Sequence, residues 1–450
     1  MTMNPFGRPT QNELARASAS GTAAIFNGLH RNLQVQQWLQ ATNAYRSNCL
    51  HQIAADLDAT TGTGINGPDL AEYIAASVPL HCSDGWTFLA RSLSAYINGN
   101  PHQAAHFAYY AELRAAMSIL GSQGVGVFNR KHFFIDHAGQ CQAISAQRST
   151  HEFVWLALDD WSNRPSSGVA LLNLFVVSGI SVKDWFSALP GSSVASSFAS
   201  YWLRNWGIDL SAIDTDHDVR NLASYRPNEF STWNTDARAC SEFLRSMWAL
   251  FEPATTRFET LDRHLLRMLV RKTILSVGDP ADPNREDKAR QQLTTMLNNL
   301  AVGDPERNRS KEFLLSTDPE PSLLTMAEAV GGPNDPHVHE RVIARAALLL
   351  RVASGFTAQL IEGATFKIDD LNFWTWPLGN RRAFWKPGAA LDDFSDLWLD
   401  VSAAMDDEAA WITAQDPGDP LSMQQWRLQR EETIRPLAEC DRVALWALQR

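Results

Sequence analysis

A mainly α protein, multi-helical and bundle-like, with one small β-hairpin near residues 124–144, is the architecture this 450-residue chain predicts. Three observations carry it. Helix start and stop signals recur along the chain around apolar residues at helical spacing. The stretch 342–361, with Leu348, Leu349, Leu350, Phe356 and Leu360, is apolar nearly all round, as a central buried helix would be. A single segment, 124–144, instead gathers aromatic and β-branched residues around glycines.

Taken in order, a helix is expected over 84–97. The next, 102–120, has Asn100 as cap, Pro101 at the first turn and Gly121 at the stop. Gly124, Gly126 and the His137-Ala138-Gly139 turn then punctuate the hairpin, which needs support from neighbouring helices. Ser149 and Glu152 have capping-box spacing and open a helix over 149–162. Further helices are expected over 181–189, 234–251 and 255–277, and a long one begins at Pro336. Between them, Asp-Pro pairs at 279, 282, 304, 318 and 335 mark turns or helix starts, because proline disfavours helical geometry in the residue before it. The resulting division is an N-terminal helical domain with the hairpin (1–277), a loop-rich connector with short helices (278–336) and a C-terminal helical domain (337–450).

Composition narrows the class. Apolar residues make up 45% and charged residues 20%, ordinary globular usage that excludes collagen-like, coiled-coil and wholly disordered chains. The net charge of -11 argues against a surface that wraps duplex DNA, although a local basic groove is compatible with it. The acidity is uneven: residues 1–150 carry 9 basic and 8 acidic side chains, residues 351–450 carry 10 and 16. An anionic ligand is therefore expected in the first third. The 16 Trp outnumber the 7 Tyr, yet none falls between Trp248 and Trp374, so the connector lacks the large anchors of its flanks.

Cys49, Cys82, Cys141, Cys240 and Cys440 are odd in number, scattered and without a CxxC pair, the pattern of reduced thiols in a cytoplasmic protein. No apolar run opens the chain as a signal peptide would, and the longest, 169–180, is too short to span a bilayer, so no membrane association is expected.

Several chemistries lack their motifs. No P-loop, strand-linked GxGxxG or GxSxG elbow occurs, so no nucleotide or dinucleotide cofactor is expected. His102 and His106 lie four apart on a helix but lack the glutamate of a zinc peptidase, and no metal ligand set is assigned. His337 and His339 are two apart, do not share a helix face and read as a solvated helix start. Glu286, Asp287 and Lys288 superficially match a metal-dependent nuclease set but fall in a Pro-rich loop.

Metal-free RNA cleavage needs a proton-moving group and an arginine for the charged transition state. The segment 216–227 contains the pair Arg220-Asn221, and Tyr225 rather than histidine stands five residues on. Glu112 lies in a helix rich in Ala, Tyr and Phe, where burial demands a counter-charge. His132 and His151 flank the hairpin and are candidates to close on it. The Arg-Asn pair, with the helices FAYYAELRAAMSIL at 107–120 and STHEFVWLALDDW at 149–161, resembles HEPN-like and YaaC-like helical bacterial proteins over about a third of the chain. That resemblance implies a stress or phage-defence component that binds or cleaves RNA, with Arg220, Asn221, Glu112, His132 and His151 as the catalytic set. The missing histidine leaves a binding-only form open.

The segment around Trp374, Trp376, Arg381, Arg382 and Trp385 mixes tryptophan, arginine and Pro377 in what reads as a non-helical stretch. It is the candidate surface for a protein partner or nucleic acid. The alternative function is accordingly a non-enzymatic assembly component that engages a protein partner; a homo-oligomer is compatible with either.

Overall fold

A computed structural model describes residues 5–58, 62–187, 219, 221, 236–254, 258–275, 284–300, 302–328, 335–389, 391–416 and 421–448. Arg220 and Tyr225 lie outside the described residues.

Three long helices form the centre. α1 (Gly67–Ile97) opens on Asn66, whose side chain accepts from Asp69 N, and on a proline in its first turn. It is longer than the sequence predicts: the chain is helical 17 residues before position 84, through Pro79. An internal proline forfeits one backbone hydrogen bond, and the burial of eighteen α1 side chains outweighs that loss. α2 (Pro101–Ser122) follows a turn containing Gly99 at φ 69°, and Asn100 caps it by accepting from Gln103 N, as expected. The predicted hairpin is a three-stranded antiparallel meander, β1 (Val125–Val127), β2 (His132–Ile135) and β3 (Cys141–Ile144). The third segment adds a strand, and the helix Ala19–Gly28 lies against its edge through Ser18 N, which donates to Ile135 O.

α3 (Thr150–Ser162) starts at Ser149, whose hydroxyl accepts from Glu152 N. After the helix Pro165–Leu174, a second ladder of β4 (Val176–Val177) and β5 (Ile180–Ser181) occupies part of the 169–180 apolar run. α4 (Ala237–Leu250) and α5 (Glu259–Val270) follow, α5 running into a widened π-type turn at Arg271–Leu275.

Within the 278–336 segment three helices are described. Arg285–Asn298, Asp304–Leu315 and Ser322–Glu328 are helices, so Glu286, Asp287 and Lys288 lie on a helical first turn and not in a loop. Glu320 clasps the segment to α5. It accepts from His264 Nδ1 at 2.8 Å, Arg267 Nη2 at 2.7 Å and Arg271 Nη1 at 2.8 Å. Burial would raise its carboxyl, but the bonds from His264 and Arg267 hold it below the ordinary value.

α6 (Val338–Glu362) is the expected central helix, with 22 buried side chains. It is long and apolar enough to cross a membrane, and 94% of its most apolar window is covered by the rest of the protein. Trp86 Nε1 donates to Ser354 Oγ at 2.9 Å and Tyr96 Oη donates to Glu340, so α6 runs antiparallel to α1. Val338 packs near Ala105 and Arg345 meets Glu112, seven residues along each helix, so α6 runs parallel to α2. Gly85 allows the close approach: a Cβ there would stand 2.6 Å from Leu350 Cδ2. Arg351 of α6 grips Asp262 of α5 through Nε at 3.0 Å and Nη2 at 2.7 Å, and Nη2 also donates to Leu174 O. Val176 N donates to the same carboxylate, and the guanidinium lies over Phe175 and Phe258.

The chain ends with α7 (Asn372–Arg382), α8 (Leu397–Thr413) and α9 (Met423–Ala438). One contiguous cluster of buried side chains runs from Phe6 to Ala447 and draws on all three segments delimited above.

Candidate functional site

Among the described residues, Glu112, His132 and His151 are engaged with different partners. Glu112 of α2 faces Arg345 Nε at 3.8 Å with both side chains buried, so the expected counter-charge comes from α6. Arg114, on the neighbouring face, pairs with Asp84 at 2.7 Å. His151 meets Tyr109 Oη through Nδ1 at 3.2 Å and stacks on that ring, and Trp155 Nε1 donates to the same hydroxyl. His132 stacks on Phe153 with ring centroids 3.6 Å apart. Its Nδ1 accepts from Phe128 N at 3.3 Å and its Nε2 donates to Arg148 O at 3.0 Å. Both ring nitrogens are thus committed to the backbone in one neutral tautomer, and burial pushes the imidazole down to about 4. His132 is built as a strut for the meander.

The Arg220-Asn221 motif is described only at its edges. Val219 is helical and buried against Ala105 of α2 and Val338 of α6, and Asn221 is helical and half-buried. Val219 therefore docks where α2 and α6 both begin. This shared pole carries polar chemistry that spacing alone left unassigned. Glu340, buried in the first turn of α6, accepts from Tyr96 Oη and, at 2.8 Å, from His337 Nδ1. The His337 side chain is 51% exposed. His339, read as a solvated helix-start residue, is buried against the Tyr96 ring at 5.2 Å. Burial, reinforced by His337 and His102 nearby, pushes it down to about 3. Cys240 of α4 lies against Tyr96 as well, and burial raises its thiol well above the ordinary value. Arg341 pairs with Asp335 at 2.9 Å at the rim.

An imidazole oriented by a carboxylate that is itself fixed by a phenol is the arrangement of a general base. The signal available in sequence was the i,i+3 spacing of His337 and Glu340 at a helix start. Tyr96 arrives from 244 positions away and could not be read. Among the described residues no group of three or more His, Cys, Asp or Glu side chains has the geometry to hold a metal ion.

The predicted partner-binding segment is a helix, α7, rather than a non-helical stretch; Pro377 lies inside it and its carbonyl accepts from Arg381 Nε. Trp374 packs edge-on against Trp38, and Trp385 is buried in a parallel stack on Phe394. Trp376 is 45% exposed. Arg382 pairs with buried Asp441 at 2.5 Å. Burial pushes that carboxyl up to about 6 against the pull of Arg382. Arg381 and Arg382 line a groove of about 1350 Å³ between α1, the start of α2, α7 and α9. Glu112, His132 and His151 do not line it.

Comparison with known protein families, with characterised proteins and with solved structures returned no match.

Proposed function

We propose that this chain binds RNA and cleaves it without a metal ion at the pole shared by α2 and α6, His337 acting as the base. The observation that supports the reading is the His337–Glu340–Tyr96 relay at the pole where Val219 packs. The relay offers a histidine of the kind that the Arg220-Asn221 motif lacks in sequence. α2 and α6 begin at this pole and α1 ends there, so two positive helix ends and one negative end meet, a balance that favours a phosphate group. In the reaction, His337 Nε2 takes the proton of a ribose 2′-hydroxyl as the 2′-oxygen bonds to phosphorus. The bond to the 5′-oxygen breaks, that oxygen takes a proton from solvent, and a 2′,3′-cyclic phosphate remains. The five free thiols, four of them buried, support a reducing cytoplasmic setting.

Incubation of labelled RNA in excess chelator tests the reading. Cleavage by the wild type is expected, with a loss of about 10²-fold or more in His337→Ala, the usual scale of general-base catalysis. Glu340→Gln is expected to shift the pH profile as well as lower the rate. Absence of cleavage by the wild type, or equal cleavage by His337→Ala, overturns it. The second reading, an assembly component that engages a protein partner, is favoured by exposed Trp376, Leu399 and Leu428 on the C-terminal helices.

A further inference from the structure

The groove between α1, α2, α7 and α9 is set by the same turn that builds the pole. Ala95, Ile97, Asn98, Asn100 and Gln103 line it, whereas Tyr96 and His102, interleaved with them, turn to the other side toward Glu340 and His339. One helix diameter, about 10 Å, separates the two surfaces.

Its charge is unlike that of the chain as a whole. Five arginines and four acidic residues line it. Arg382 is paired with Asp441, and Arg435 with Glu439 at 3.1 Å. Arg91, Arg381 and Arg427 enter no ion pair among the described residues: Arg91 lies over the Phe88 ring, Arg381 Nε donates to Pro377 O and Arg427 Nη1 to Asn98 O. These three guanidiniums come from three different helices and converge on one groove. Glu431 and Glu432 are the exposed acidic residues remaining, and Phe107, Phe384 and the 76%-exposed Leu428 supply apolar surface.

Resting on the RNA reading above, we propose that this groove is a binding site for single-stranded RNA, its phosphates held by Arg91, Arg381 and Arg427. A carboxylate only accepts hydrogen bonds, and Glu431 and Glu432 match the exocyclic amines that an unpaired base exposes. In an RNA duplex the free N–H of each paired amine lies in a deep, narrow major groove that side chains cannot read, and the duplex would bring a second row of phosphates against the same glutamates and a chain of charge -11. Phe107 offers a face for a base to stack on. A strand leaving the groove across the Asn98–Asn100 turn reaches the pole where His337 stands.

The test is fluorescence anisotropy with a 2′-O-methyl cytidine 12-mer, which carries the exocyclic amine but has no nucleophilic 2′-hydroxyl. Arg91→Ala/Arg381→Ala/Arg427→Ala is expected to weaken binding at least tenfold. It should also reduce the slope of log affinity against log salt by about 2, at roughly 0.7 per phosphate contact on a single strand. The triple lysine variant, which keeps the charges, should retain the slope and serves if the alanine variant misfolds. An unchanged affinity and slope, or equal binding of a duplex of the same length, overturns the groove assignment. The two readings fail separately. Binding lost in the triple variant without cleavage by the wild type removes the catalytic reading alone. Cleavage that depends on His337 but ignores the three arginines removes the groove alone.

Discussion

Asp262→Leu is expected to destabilise the protein by about 3 to 5 kcal/mol, because it leaves the Arg351 guanidinium charged and buried without its carboxylate. The pair is fully enclosed, with side-chain exposures of 4% for Arg351 and 0% for Asp262. Burial raises the Asp262 carboxyl, and the Arg351 charge and hydrogen bonds oppose that rise, so the ionised form depends on its partner. The loss also strips Val176 N of its acceptor, loosening β4. Asp262→Leu/Arg351→Met removes both charges, and two apolar side chains of similar volume are expected to recover most of the stability. Urea unfolding of the two variants distinguishes the cases. A double variant as unstable as the single one would mean that the ion pair itself, and not the orphaned charge, holds α5 on α6.

Acidification from pH 6.5 to 4 is expected to cost about 3 kcal/mol for each of His132 and His339. Both are held neutral in the fold, at about 4 and about 3, below the ordinary histidine value of 6.5. In the unfolded chain they protonate as pH falls through that value, while in the fold they do not. The unfolded state therefore binds more protons in this window, and stability falls as pH falls. The groups facing His339 are Tyr96, His337, His102 and Asp335, while His132 faces the backbone of Phe128 and Arg148 and the Phe153 ring. His132 and His339 together should contribute a slope approaching two protons to the decline of the unfolding free energy across this range, to which His81, also pushed down to about 3 by burial, adds. His132→Gln should remove about one of them, and a slope unchanged by that substitution would show that His132 protonates without cost.

What the sequence could yield follows from range. α2 was readable to within two residues because its cap, Asn100, and its proline act on backbone groups a few positions away. α6 was readable as a core helix because its apolar residues cover the whole circumference. The segments 124–128, 132–135 and 140–144 are legible as β from their aromatic and β-branched residues, and what nothing local says is that the third pairs with the second to make the hairpin a meander. α1 was truncated at position 84 because Pro79 reads locally as a break, and only the packing of α1 against α2 and α6 makes the proline tolerable. The site was less legible. Glu112 was rightly expected to need a counter-charge, but Arg345 lies far along the chain. His132 and His151 looked available in sequence, and the structure engages them with Phe128, Arg148 and Tyr109. The two arginines singled out in the Trp-rich segment do line a groove, although the tryptophans beside them largely serve the interior.

The position of α6 also has a consequence for how the chain is made. α1 and α2 present the faces that α6 covers, and the contact between Tyr96 and Glu340 spans 244 positions. At about 5–20 residues per second of synthesis, the α1–α2 hairpin waits roughly 10 to 50 seconds after it emerges before its covering helix exists. During that interval Trp86, Leu89 and Leu93 lack their partner, so the nascent chain is exposed to aggregation and to capture by chaperones. A truncation ending before residue 338 should leave those faces open permanently and be recovered chiefly in the insoluble fraction.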